Sequence, residues 1–172
     1  PVALPLATGR VRGNAHSISA FVTESFIDEL ARKAGREPLS FRMEMLGGDL
    51  QLARCLSGVA AMAGWDGGMD SSGMGIACHR IGGGTIAVVA TARRGESGLK
   101  VERLSAMAEI GRIVNLDIAR QQIEGGLVFG LGVAMGAALA LENGLPLSSR
   151  LAAMQLPGLA DCPEIQVEFV ER

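Results

Sequence analysis

The stretch from Gln121 to Gly144, QQIEGGLVFGLGVAMGAALALENG, constrains this chain more than any other. Between Glu124 and Glu142 it carries no charge, and glycines stand at 125, 126, 130, 132 and 136. Each helical Gly costs roughly 1 kcal/mol relative to Ala, so an ordinary amphipathic helix would not keep so many. The pattern predicts a helix pressed against other backbone or a bulky ligand, running into a strand before the Asn143-Gly144 turn. Its length approaches the ~20 residues of a membrane span, and Gly126-x-x-x-Gly130 and Gly132-x-x-x-Gly136 have the spacing of close-packed membrane helices. No basic flank accompanies it and the other elements are amphipathic, so no membrane span is expected.

The remaining elements follow from periodicity and turn chemistry. Residues 1 to 13, with two prolines and two glycines, read as an extended arm ending in a tight turn. From Ser17, the apolar residues Ile18, Phe21, Val22, Phe26 and Leu30 fall on one helix face, with Asn14 or Ser17 as its cap and Gly35 past its end. Pro38 opens a second helix through about Leu46, with Leu39, Met43 and Leu46 inward. Asp49 caps a third, whose face is Leu52, Leu56, Val59 and Ala63 and which closes at Gly64.

The segment DGGMDSSG, 66 to 73, is turn chemistry. Short β-like runs follow at Gly75 to Arg80, Thr85 to Ala92 and Lys100 to Ala108, and their links are too short for parallel crossovers, which predicts an antiparallel meander. Asn115 or Asp117 caps the glycine-rich helix, and Ile165 to Val170 reads as a last strand. Helices, then strands, then a helix and strands is α+β ordering, with N-terminal helices, an antiparallel or mixed sheet and the glycine-rich helix packed on it.

Composition removes several function classes. Sixteen basic against 18 acidic residues give a net charge of -2 with no basic run, and five Phe, one Trp and no Tyr offer no stacking platform, so nucleic acid is not an expected partner. The mean hydropathy of +0.30 belongs to a packed chain, and 172 residues suffice for one domain with a proper core. Cys55, Cys78 and Cys162 are odd in number and widely spaced, and read as buried thiols. The chain begins with Pro1 and shows no leader segment, which leaves a targeting peptide removed or never present and suggests a piece of a longer chain.

Few residues invite a chemical role. Gly82-Gly83-Gly84-Thr85 lacks the Lys of a phosphate-binding loop and reads as a hairpin link. Cys78 and His79 are adjacent, so in a strand they point to opposite faces and cannot chelate one metal. His16 reads as a polar neighbour of a helix start. Glu24 and Asp28, four apart, could act as an acid and base pair, but a solvated helix face is the expectation. Arg10 stands in a turn where it could meet an anionic or carbonyl group. The Gln122 amide both donates and accepts hydrogen bonds, which suits a heteroaromatic or pterin-like ligand. Tight helix packing, with Gln122 capping a buried carbonyl, accounts for the same pattern equally well.

Two long motifs resemble a known family. GRVRGNAHSISAFVTESFIDELARKAGREPLSFRMEML resembles the R-x-x-G-N-x-H, E-S-F-I-D-E-L-A and A-G-x-D-P-x-x-F-R segment of molybdenum hydroxylase large subunits. IGRIVNLDIARQQIEGGLVFGLGVAMGAALALENG resembles their G-R-x-V-N-P-D, Q-I-E-G-G, F-G-L-G and L-E-N-G segment, with Leu116 in place of the usual Pro. The resemblance lies within the xanthine dehydrogenase and aldehyde oxidase superfamily, on its isoquinoline 1-oxidoreductase beta-subunit branch.

The resemblance implies that residues 1–172 form one domain within the molybdopterin-binding region of a longer large subunit. It implies hydroxylation of an N-heteroaromatic ring or aldehyde carbon with oxygen from water, a molybdopterin cofactor in its cytosine dinucleotide form, and a small iron–sulfur subunit as partner. Gln122 then matches the glutamine near the molybdenum, Arg10 the arginine lining the substrate pocket, and Gly13, Gly125 and Gly126 positions where backbone comes close to the site. The family's catalytic glutamate lies in a G-x-G-E motif, which the sequence does not contain. The expectation is therefore no catalytic residue, no metal ligand and no bound cofactor in this chain alone, and no activity in isolation. A non-catalytic scaffold or assembly module that keeps the fold is the rival reading, and the compartment, bacterial cytoplasm or periplasm, stays open.

Overall fold

The structure is a computed structural model that describes Gly9 and residues 12–96, 98–148 and 150–170. Three helices come first: α1 (Asn14–Lys33), α2 (Pro38–Met45) and α3 (Leu50–Ala63). Three long strands follow, β1 (Met74–Ile81), β2 (Gly84–Gly95) and β3 (Gly98–Glu109), and then α4 (Leu116–Ala134). Two-residue strands β4 (Leu141–Glu142) and β5 (Leu145–Pro146) precede two 3-10 turns and β6 (Glu164–Phe169).

Local chemistry sets most of these boundaries. Asp49 accepts from the Leu52 N–H at 3.1 Å to start α3, and Gly64 ends that helix at φ 66, where only Gly is unstrained. Asn115 caps α4 by accepting from the Ile118 N–H at 2.9 Å. Asn143 and Gly144, at φ 50 and 80, form the turn that Asn-Gly favours between β4 and β5. For α1 the expected side-chain cap does not form. Gly13, at φ 86, is its N-cap, and neither Asn14 nor Ser17 caps it, since the Ser17 hydroxyl instead donates to the Asn14 carbonyl. For α2, Glu37 is a cap absent from the sequence reading, accepting from the Leu39 and Ser40 N–H groups at 2.8 and 2.7 Å.

The fold is α+β. The sheet runs β1-β2-β3-β6, antiparallel across the first three strands and parallel between β3 and β6. The meander thus holds for the short-linked strands, while the long connection through α4 brings β6 in parallel, as only a long crossover can. On β2, Ala87 and Val89 join Ile76 of β1 and Cys55, Leu56, Val59 and Ala63 of α3 in the buried core. The intervening Ile86, Val88 and Ala90 point to the other face and line a cavity of about 550 Å³ that α1 and α4 flank.

The first helix departs most from its apolar pattern. Ile18 and Phe21 are 70% and 72% exposed, and Val22 and Phe26 are exposed as well, because the side of α1 that meets the rest of the chain carries Glu24 and Asp28. Both carboxylates pair with Arg42, which is buried where α2 was expected to place Met43; Met43 points outward. The solvated reading of Glu24 and Asp28 is therefore corrected. Among the thiols, Cys55 is buried and Cys78 half-buried, but Cys162 is exposed, contrary to expectation. Among the described residues, no helix is long and apolar enough to cross a membrane.

Candidate functional site

The candidate site gathers on α4. Asp117 stands in its first turn, where a negative charge complements the helix dipole, and Arg120 fixes the helix against the sheet. The Arg120 Nε donates to the Val167 carbonyl on β6 at 3.2 Å, and its Nη2 lies 3.5 Å from Glu168. This anchor sets the rotation of the next turn. Gln122, two residues on, is exposed, and its amide makes no hydrogen bond to a described residue, so it caps no buried carbonyl among them.

One turn beyond Gln122 come Gly125 and Gly126. The Arg12 guanidinium lies beside them: its Nη2 is 3.8 Å from where a Cβ on Gly125 would sit, and its Cζ is 5.6 Å from the Phe129 ring centroid. Stacking of this kind is worth ~0.5–1 kcal/mol at an exposed site and fixes the direction of the planar fork. Gly13 delivers that side chain, since its φ of 86 turns the chain between Arg12 and α1, and a Cβ there would also meet Ser17 Cβ at 3.1 Å.

The glycines of α4 divide into two kinds. A Cβ on Gly132 would meet Pro157 Cδ at 3.0 Å, so that glycine serves packing within the chain. A Cβ on Gly126 or Gly130 would meet nothing within 4 Å, and both residues line the cavity against the sheet. Their lack of a side chain is not needed by any contact among the described residues.

The structure thus brings Gln122, Gly125 and Gly126 to one stretch of helix and adds Gly13 through the Arg12 turn. Arg10 lies outside the described residues. Arg12 is the contact that the sequence reading missed, although it sits two residues from Arg10 in the same motif. The second missed contact is between the two histidines: His16 Nδ1 and His79 Nε2 are 3.2 Å apart, joining the first turn of α1 to β1. Cys78 and His79 do face opposite sides, Cys78 packing on the α3 core and His79 on the cavity.

Burial, and then Glu24, push the Cys78 thiol up to about 12. The thiol is therefore no nucleophile at neutral pH. Burial works against the Arg42 charge, but Asp28 and Glu24 outweigh it and hold that guanidinium above its ordinary value.

Comparison with known proteins finds relatives along most of the chain. Isoquinoline 1-oxidoreductase subunit beta of Brevundimonas diminuta is 27% identical over 157 residues, covering 88% of this chain and 20% of its own length. A membrane-bound aldehyde dehydrogenase [pyrroloquinoline-quinone] of Gluconacetobacter polyoxogenes is 23% identical over 195 residues, covering 94% of this chain and 24% of its own. The chain therefore spans about a fifth to a quarter of the length of these relatives. Among solved structures, a Cu,Mo-CO dehydrogenase aligns at a TM-score of 0.46 and 22% identity, over 51% of this chain and 11% of its own. The family model for the molybdopterin cofactor-binding domain matches residues 68–163, more than half of the chain, and the chain belongs to that family.

Proposed function

We propose that this chain forms one wall of the cofactor and substrate site in the large subunit of a molybdenum hydroxylase. The observation that carries the reading is the exposed Gln122 amide, without a hydrogen bond among the described residues, one turn before Gly125 and Gly126, with the Arg12 guanidinium laid along the same helix. An amide, a cation and side-chain-free backbone suit a flat, polyanionic pterin, so the residues present fit the group. When bound, that cofactor supplies the redox-active metal through which oxygen from water enters an N-heteroaromatic ring or an aldehyde carbon.

Within that site each residue has a limited task. Gln122 would donate to and accept from the cofactor and so fix its orientation. Gly125 and Gly126 let it approach the helix backbone, and Gly13 holds the turn that presents Arg12. Arg10, by its place in R-x-x-G, matches the family's substrate-pocket arginine and would stabilise negative charge developing on the substrate. The cofactor is the cytosine dinucleotide form, and electrons leave through a small iron–sulfur subunit. The remainder of the large subunit supplies the catalytic glutamate, so the isolated chain is inactive. One relative's name carries pyrroloquinoline quinone instead, but the matched family model favours molybdopterin.

The test is molybdenum and pterin analysis of the full-length subunit from a molybdenum-competent host. Stoichiometric metal is expected, and its absence would favour the scaffold reading. Gln122→Ala is expected to lower cofactor occupancy or turnover; unchanged values for both would remove Gln122 from the site.

A further inference from the structure

The chain contains two histidines, and they meet. His16 lies in the first turn of α1 and His79 on β1, 63 residues apart, with Nδ1 and Nε2 at 3.2 Å and the rings inclined at 64°. Two imidazoles sharing a tetrahedral ion at ~2.0–2.1 Å each place their nitrogens about 3.3 Å apart. In the absence of metal the rings share an N–H···N hydrogen bond at 3.2 Å, and the same separation is close to the bite of a chelating pair. We propose that His16 and His79 form a seat for a first-row transition-metal dication at the rim of the cavity between α1 and the sheet.

The surroundings bear on such an ion in two ways. The positive end of α1 beside His16 opposes it. Glu24 and Asp28, which line the same cavity as His79, set two carboxylates against the one Arg42 guanidinium and leave a net negative charge on that wall. Among the described residues, no third His, Cys, Asp or Glu joins a metal-binding group, so the seat is bidentate. The remaining coordination positions belong to water or to a ligand in the cavity, which is the arrangement of a binding site and unlike the closed four-ligand set of a structural one. The seat opens on the cavity that Gly126 and Gly130 of α4 also line, but its two ligands lie on α1 and β1 and can be tested without the pterin.

Cobalt(II) chloride added to the reduced 172-residue chain tests this, because cobalt is both coloured and paramagnetic. One equivalent is expected to bind, with selective broadening of both histidine ring-proton signals at substoichiometric metal and no thiolate-to-cobalt charge-transfer band. His16→Ala and His79→Ala, each with an unchanged circular dichroism spectrum, are expected to weaken binding at least about tenfold. The proposal is overturned by no binding, by broadening of only one histidine, by a thiolate band, or by affinity unchanged in either variant. The wild-type broadening decides the matter even if a variant fails to fold.

Discussion

Arg42 Nε and Glu24 Oε2 lie 3.0 Å apart, with the Arg42 side chain only 2% exposed. The same Glu24 oxygen accepts from the Cys78 N–H at 2.8 Å, and Asp28 adds a second ion pair to Arg42 Nη1 at 2.7 Å. The Pro38 and Glu24 carbonyls take two more of the guanidinium's donors. One buried cation therefore joins α1 to α2, and Glu24 carries the link on to β1. Removing one partner of such a pair strands the other and costs ~3–5 kcal/mol. Arg42→Ala and Glu24→Leu are each expected to lower the stability from urea unfolding by about that amount. A midpoint that does not move would show that this pair does not hold α1 in place.

The same pair shows where sequence reading stops. A buried arginine has the same letter as a solvated one, and nothing near Arg42 in the chain announces carboxylates on another helix. The spacing of Ile18, Phe21, Val22 and Phe26 correctly gave a helix, but an apolar stripe says only that the face wants cover, not that the cover lies within these residues. Alternation in β6 likewise carries no direction; the parallel pairing comes from the α4 crossover. Legible features were the local ones: the Asp49 and Asn115 caps, the Asn143-Gly144 turn, and Gln122 with its glycines on a single helix. Arg12 on Phe129 and His16 on His79 each depend on a contact between distant segments, for which a single sequence holds no signal.

Glu37 links the start of α2 to the indole of Trp65, whose Nε1 donates to its Oε1 at 2.7 Å. Burial raises the Glu37 pKa, but hydrogen bonds from Ser40, Leu39 and Trp65 outweigh it and leave the carboxyl below its ordinary value. A carboxylate depressed in the folded state adds stability that is complete above the unfolded value of about 4.3 and is lost as pH falls through the folded one. Glu37→Gln should therefore cost about 1 kcal/mol at pH 7, in the range of a lost helix cap, and the gap to wild type should close below pH 4. Trp65 is the one tryptophan, so its fluorescence reports both unfolding and the broken bond. A gap that stays constant down to pH 3 would contradict the assignment.

The three thiols should separate by reactivity. Cys162 is exposed, whereas Cys55 is fully buried with its thiol raised by burial, and Cys78 is pushed up to about 12. Access favours Cys162, and burial keeps the Cys55 and Cys78 thiols protonated. Under native conditions at pH 7.5, a limiting amount of iodoacetamide should alkylate Cys162 first, with Cys55 and Cys78 labelled only on unfolding, as peptide mass analysis would read. Early labelling of Cys78 would mean that its Glu24 neighbour and its burial are not maintained in solution.

Gly126 and Gly132 are six residues apart on α4 and should respond oppositely to the same methyl group. Alanine at 132 drives its Cβ to 3.0 Å from the Pro157 ring, which is rigid, so ~1–3 kcal/mol of overpacking is expected. Alanine at 126 meets nothing within 4 Å and removes the helical cost of glycine, so the chain should gain up to ~1 kcal/mol. In the full-length subunit the two effects part company. If Gly126 is kept open for the pterin, Gly126→Ala should lower the molybdopterin content of a protein whose melting temperature does not fall. Cofactor content equal to wild type in that variant would leave Gly126 without a role in the site, while Gln122 would stand on its own test.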